Sequence, residues 1–405
     1  MNIIVEYQRR IILQIESNKK MILINLLIVS FIALIIIDLI IKCYPKSKLL
    51  IKPIRYKIKS NNDFEEVRCE FEIYNSSSNK ETMIPSLNSE LNFFNKKDVI
   101  QFDYKKEILI DYGDSKKNIT SYWPTIIVKS NSSVKIYMKF IFKKYLVDND
   151  KFLWLKINWK HYGHFGLKIN QNNFLLSNHK TNMKYRKLIH HPINNEYEAI
   201  AIKTNILGAF DDPIEIIYKY CEGIIRKDDI LVIGETPLAI MQGRYINPKN
   251  IDYSFFSKIY CYFFHPTSSL ATACGMQLLI NKIGITRITL SLLLGSLFKL
   301  FKINGIFYRM TGSESSLIDD ISGTTTPYDK SIVMGPINPK LYCKQISKVL
   351  KINTAVVDVN DLGGVKIVAA SNKSIIKILH NALKNNPAGN DDQKTPIVLI
   401  RKKHN

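Results

Sequence analysis

The chain has 405 residues, enough for about two or three domains, and a formal charge of +22 with Ile, Asn and Lys in excess. Its lysines are spread along the whole length without a recognisable nucleic-acid module, so the charge reads as compositional bias and no nucleic-acid partner is expected. Six cysteines lie far apart with no Cys-x-x-Cys pair. That excludes a zinc ribbon, a redox motif and a disulfide framework, and fits reduced thiols in a cytoplasmic setting.

After a tail at 1–20, Met21 to Ile41 reads MILINLLIVSFIALIIIDLII, long enough for one helix across a bilayer. The run is too long for a signal-peptide core and no small-residue cleavage site follows, so 21–43 is expected to be a retained single-pass transmembrane helix. Lys42, Lys46, Lys48, Lys52, Arg55, Lys57 and Lys59 follow uninterrupted by acids. By the positive-inside rule the C-terminal body is then cytoplasmic.

Residues 44–176 read as an all-β, sandwich-like domain, immunoglobulin-like in style. Val67, Cys69, Phe71 and Ile73 alternate with polar neighbours, as do Val134, Ile136, Met138, Phe140 and Phe142, the period of half-buried strands. His161, His164, His190 and His191 have no acidic partner at metal-ligand spacing and are expected to be hydrogen-bonded or solvated. The polar stretch 177–198 reads as a linker.

From 199 to 405 strands and helices alternate, which argues for one α/β domain. Strands are expected at Ala199–Thr204, Ile230–Ile233, Val365–Ala370 and Thr395–Arg401. Helices are expected at Pro213–Cys221, behind the acidic start Asp211-Asp212, and at Ser268–Ile283, Pro339–Leu350 and Ser374–Lys384. The apolar run Ile288–Phe301 contains Lys299, is too short to span, and is expected as a buried domain helix. Most telling is Ala355-Val356-Val357-Asp358-Val359-Asn360-Asp361, where a buried strand ends in acids and an amide before Gly363-Gly364. Ligands of α/β proteins sit at such strand ends, and Mg²⁺ takes carboxylates plus phosphates there.

Several blocks in order resemble the coenzyme F-420-0:L-glutamate ligase (γ-glutamyl ligase) family over Ile200 to Lys402. They are Asp211-Asp212; Asp229 to Glu235 followed by Gln242-Gly243-Arg244; Gly305 to Gly312 followed by Ile318-Asp319-Asp320; Asp358-Val359-Asn360; and Gln393 to Arg401. The resemblance implies a GTP-dependent ligase using Mg²⁺ or Mn²⁺, which activates a substrate carboxylate (F-420-0 or another acceptor) and joins it to L-glutamate. It further implies Asp319 and Asp358 as metal ligands, Asn360 at a metal-bound water or phosphate, and Arg244 on phosphate or carboxylate. Glu235 and Asp212 would position nucleotide or amine, in a homodimer. Thr236 and Ile240 stand where many members carry lysines. The alternative is a non-catalytic, membrane-tethered binding protein on the same fold.

Overall fold

The computed structural model describes residues 47–403 except 96–97, 114–115, 119–124, 145–151, 177–185, 267, 320–325, 361–362 and 390–392, and scattered positions within 21–39. The tail 1–20, Asp38, Lys42, Cys43, Lys46, Asp320 and Asp361 lie outside the described residues. The chain divides into two compact units, one of 47–277 with 313–405, the other of 278–312 with the first 46 residues.

The larger unit opens with strands β1 (Leu49–Ser60), β2 (Phe64–Asn75), β3 (Thr82–Asn95), β4 (Asp98–Ile100), β5 (Lys105–Asp111), β6 (Lys116–Asn118), β7 (Ile126–Val128), β8 (Ser132–Lys143), β9 (Phe152–Gly163) and β10 (Gly166–Leu176). They form two antiparallel sheets, ordered β1-β2-β8-β5-β6 and β10-β9-β3-β4, with β7 on β3. The alternating sets on β2 and β8 are buried as the period-two pattern requires, and face Leu91, Phe93, Leu155 and Ile157 from the second sheet in one core. This is the expected all-β sandwich.

The second part comprises β11 (Lys187–Pro192), β12 (Tyr197–Lys203), α1 (Pro213–Cys221), β13 (Ile230–Gly234), α2 (Glu235–Met241), β14 (Tyr245–Ile246), α3 (Phe255–Tyr260) and α4 (Ala273–Ile283). After α5 (Ile285–Leu300) and α6 (Ile306–Thr311) come β15 (Ile332–Val333), α7 (Pro339–Leu350), β16 (Asn353–Val359), β17 (Val365–Ala370), α8 (Ile376–Ala382) and β18 (Ile397–Lys402). Six strands make a mixed sheet, β11-β12-β18-β13-β16-β17, in which only β13 and β16 are parallel. Residues 187–192, expected within the linker, are therefore its edge strand.

The apolar runs of β13, β16 and β18 follow from burial on both faces. Leu231, Ile233, Val356 and Leu399 pack with Ile217 and Tyr220 of α1 and Ile346 of α7. Ile230, Val232, Ala355 and Ile400 pack on the other side with Leu379 and Ala382 of α8. One ion pair is sealed into this layer: Arg401 donates Nε and Nη2 to the two oxygens of Asp229 at 2.9 and 2.7 Å, and Nη2 also to the Ile224 carbonyl at 2.6 Å.

The sandwich and the mixed sheet share apolar surface. Phe94, Trp154 and Leu175 from the sandwich pack with Ala239, Ile240, Tyr328 and Val333. Phe210 enters the sandwich core, 5.1 Å from the Tyr56 ring and 5.5 Å from Phe71.

In the smaller unit α5 packs against α6, with Gly295 at the closest point. A Cβ there would lie 3.4 Å from both Cβ and backbone N of Phe307. Arg287 Nε donates to the Met310 carbonyl at 2.8 Å. The expectation of a buried helix over Ile288–Phe301 is corrected: only Ile285, Ile288 and Ser291 of α5 are buried, while Leu293, Leu297, Leu300 and Phe301 are exposed. Among the described residues no single helix is long and apolar enough to cross a membrane. Within 21–39 the described positions are helical, and Met21, Ile22, Ile28, Val29, Ile32, Ile35, Ile36 and Leu39 are exposed.

Candidate functional site

Two parallel strands build the site. The register pairs Gly234 of β13 with Val357 of β16, so the next residues, Glu235 and Asp358, emerge together at the carboxyl end of the pair. Gly234 hydrogen-bonds the Pro396 carbonyl at 3.0 Å, and a Cβ on it would meet Pro237 Cδ at 3.1 Å, so the bend into α2 leaves little room for a side chain. Asp319 arrives from another direction, through an isolated antiparallel bridge to Val333. The hydroxyl of Thr236 ties the acids together, 2.6 Å from Asp319 Oδ2 and 3.2 Å from Glu235 Oε1.

A fourth charge comes from β17. Lys366 is the cross-strand partner of Asp358, and its Nζ donates to Ser316 Oγ and toward the Ser316 carbonyl. Directly paired residues of antiparallel strands project to the same face, which sets the lysine beside the acids. Glu235, Thr236, Asp319, Asp358 and Asn360 line a cavity of about 430 Å³. Lys394 stands in its wall with Nζ over the Phe152 ring at 5.6 Å.

Burial dominates the electrostatics. The Glu235 carboxyl is pushed up to about 9, first by loss of water, then by Asp319 and Asp358, against the opposing Thr236 hydrogen bond and Lys366. Its Oε2 is buried without a hydrogen-bond partner. Asp358 is raised by burial and lowered by Lys366. Lys366 is itself lowered by burial and raised by Asp358, Glu235 and Asp319. Three carboxyls facing one lysine at short range favour retaining a proton, and Glu235 keeps it.

Glu235, Asp319, Asp358 and Asn360 are thus brought together, whereas Arg244 and Asp212 do not line the cavity. Arg244 Nε donates to the Gly335 carbonyl at 3.1 Å, and the neighbouring Gln242 is paired to both backbone groups of Ile337. Asp212 caps α1, accepting from the N–H groups of Ile214 and Glu215 at 2.9 Å. Asn360 has one oxygen committed to the turn, where its Oδ1 accepts from Gly364 N at 2.8 Å. Thr236 and Ile240, at family lysine positions, bridge acids and line apolar wall respectively. Among the described residues Lys394 lines the cavity and Lys366 lies beside its acids, and sequence reading gave neither a role. His161 is buried with both ring nitrogens unpartnered, stacked on Trp159 at 4.4 Å, and held neutral at about 4 by burial and Lys168.

Residues 50–180 match the family model described as F420-0:gamma-glutamyl ligase, N-terminal Ig-like domain. The sandwich is therefore similar to the Ig-like domain of that ligase, which supports that family in part, and the match does not extend to Ile200–Lys402. No curated protein matches. Similar solved structures include the putative ApaA protein from Bordetella pertussis (10% identity, 33% of this chain and 97% of that chain, TM-score 0.21). Others are the GAE domain of GGA2p from Saccharomyces cerevisiae (13%, 33% and 94%, 0.19) and a PapD-like domain of human CEP192 (12%, 33% and 84%, 0.20). Nothing about the site follows from them.

Proposed function

We propose that the chain is a membrane-anchored amide ligase of the γ-glutamyl type, joining a substrate carboxylate to the amine of L-glutamate at the expense of GTP. The observation that carries this reading is the convergence of Glu235, Asp319 and Asp358 with Lys366 at the carboxyl end of two parallel strands. The Ig-like match at 50–180 supports the same family.

The oxygen donors suit a hard cation such as Mg²⁺ or Mn²⁺, and Glu235 Oε2 is buried beside them without a hydrogen-bond partner. Asp319 and Asp358 would hold the ion. Among the described residues no group of three or more His, Cys, Asp or Glu side chains is disposed to hold a metal ion. Two carboxylates alone would leave the remaining positions to water and phosphate. When bound, the cation would neutralise charge on the phosphate oxygens.

Lys366, beside the acids, and Lys394, in the cavity wall, would supply positive charge near a phosphate or carboxylate, and Thr236 orients Asp319. In the reaction class the substrate carboxylate takes the γ-phosphoryl group and GDP leaves. The amine then attacks the acyl carbon, phosphate leaves, and one proton is released. Glu235, once ionised, is placed to accept that proton. Arg244 and Asp212 are assigned to the scaffold.

The test is titration of GTP, then ATP, into the whole solubilised chain with Mg²⁺ or Mn²⁺. Metal-dependent binding that Asp358→Ala abolishes without unfolding the chain is expected. A folded chain that binds neither nucleotide would sink the reading. The weight would then move to a non-catalytic binding protein, which the use of Asp212 as a helix cap favours.

A further inference from the structure

We infer that α5, the loop after it and α6 form a docking element for the surface of an anionic bilayer, distinct from the apolar run at 21–41. Helix α5 has two apolar sides. Ile285 and Ile288 are buried, whereas Leu290, Leu293, Leu297 and Phe301 recur at i, i+3, i+7 and i+11 along the opposite, uncovered side. Leu293 is 63%, Leu300 80% and Phe301 71% exposed, and Ile303 and Tyr308 continue the surface. A contiguous apolar face of this kind marks an interaction site.

Charge selects the occupant. No Asp or Glu occurs between Asp252 and Glu314, while Lys282, Arg287, Lys299, Lys302 and Arg309 all lie in this unit. A second copy of the chain would bring the same cations to the contact, like against like. An anionic lipid surface offers both complements at once, acyl chains for the Leu and Phe side chains and phosphates for the Lys and Arg heads. The geometry agrees with lying at the surface or re-entering rather than crossing. Ala273–Ile283 and Ile285–Leu300 together have the length and apolar composition of a span, yet they bend by 114° at Gly284, whose φ is 86°.

The test uses the whole chain on vesicles with brominated acyl chains, either phosphatidylcholine alone or with about 30% phosphatidylserine, the class of anionic lipid expected. A Phe301→Trp reporter is compared with Tyr218→Trp, an exposed position on α1 in the other unit. With phosphatidylserine present, the Phe301→Trp emission is expected to shift to the blue and fall about twofold by quenching, while Tyr218→Trp stays unchanged. Adding Lys299→Glu and Lys302→Glu should return the quenching to its level on phosphatidylcholine. Equal quenching of the two reporters would overturn the inference. So would a blue shift without lipid that grows with protein concentration, which would assign the face to a second copy.

Discussion

A carboxyl whose ordinary value is near 4.5, held at about 9, keeps its proton through neutral pH in the folded chain and loses it in the unfolded one. Between those values the native state binds more protons, so stability falls as pH rises, by up to about 1.4 kcal/mol per pH unit. This contribution is complete below about 4.5 and gone above about 9. His161 acts in the opposite sense below its ordinary 6.5, its neutral buried ring favouring the fold as pH rises, so the comparison belongs above pH 7. In metal-free buffer, Glu235→Gln should unfold with a flatter pH dependence than the parent between about pH 7 and 9, and be the more stable of the two near pH 8. Identical slopes would remove Glu235 as the source. Lys366→Met removes the charge that lowers Asp358 and Glu235, and should weaken metal-dependent GTP binding at least about tenfold in the same calorimetric titration. Asp358 was legible because an apolar strand that ends in an acid announces its own edge, whereas Glu235 and Asp319 were reached only through the family resemblance, Asp319 lying on an isolated bridge. Lys366 was not, being one lysine among many. The mirrored run Val357-Asp358-Val359 and Val365-Lys366-Ile367 about a Gly-containing turn was the available signal, and it has meaning only once the hairpin register is known. Arg244 and Asp212 lie outside the cavity lining, and a side chain that serves a carbonyl or a helix cap looks the same in sequence as one that serves a ligand.

At the level of elements, the apolar runs of β13, β16 and β18 identified the sheet, while their mutual directions did not follow from alternation with helices. Only one of five neighbouring pairs is parallel. The edge strand β11 escaped notice because its exposed, polar composition resembles a connection. The apolar run at Ile288–Phe301 was read as core since periodicity reports a hydrophobic face without saying what covers it. The Arg401–Asp229 pair fastens β18 to the turn before β13, both partners nearly water-free. Arg401→Met leaves a buried carboxylate uncompensated and should cost about 3–5 kcal/mol in urea unfolding. The double variant Arg401→Met/Asp229→Asn should recover part of that loss. Simple additivity of the two single variants would show that the pair is not coupled.

Across the whole larger unit, the sandwich and the mixed sheet do not behave as beads on a string. Phe210 sits in the sandwich core, and Trp154 and Leu175 sit against Ile240 and Tyr328. Trp154→Ala should therefore cost about 3–5 kcal/mol and lower the stability of both parts together, seen as coincident transitions by tryptophan emission and far-UV circular dichroism. Two separated transitions would contradict a shared core. Cutting the chain near Glu198 would strip β11 from the sheet edge and bare the Ile240–Tyr328 surface, so such a fragment should aggregate. The Tyr328 ring, 5.8 Å from Trp154 of the sandwich, lines the cavity, and Lys394 rests on Phe152 at its rim. Among the described residues the sandwich thus backs the cavity wall at Ile240 and Tyr328 without lining the hollow itself. Grafting the α/β half onto a foreign partner would remove the backing of Ile240 and Tyr328 without touching a single acid of the hollow, so its wall can be reshaped from a domain that never enters it.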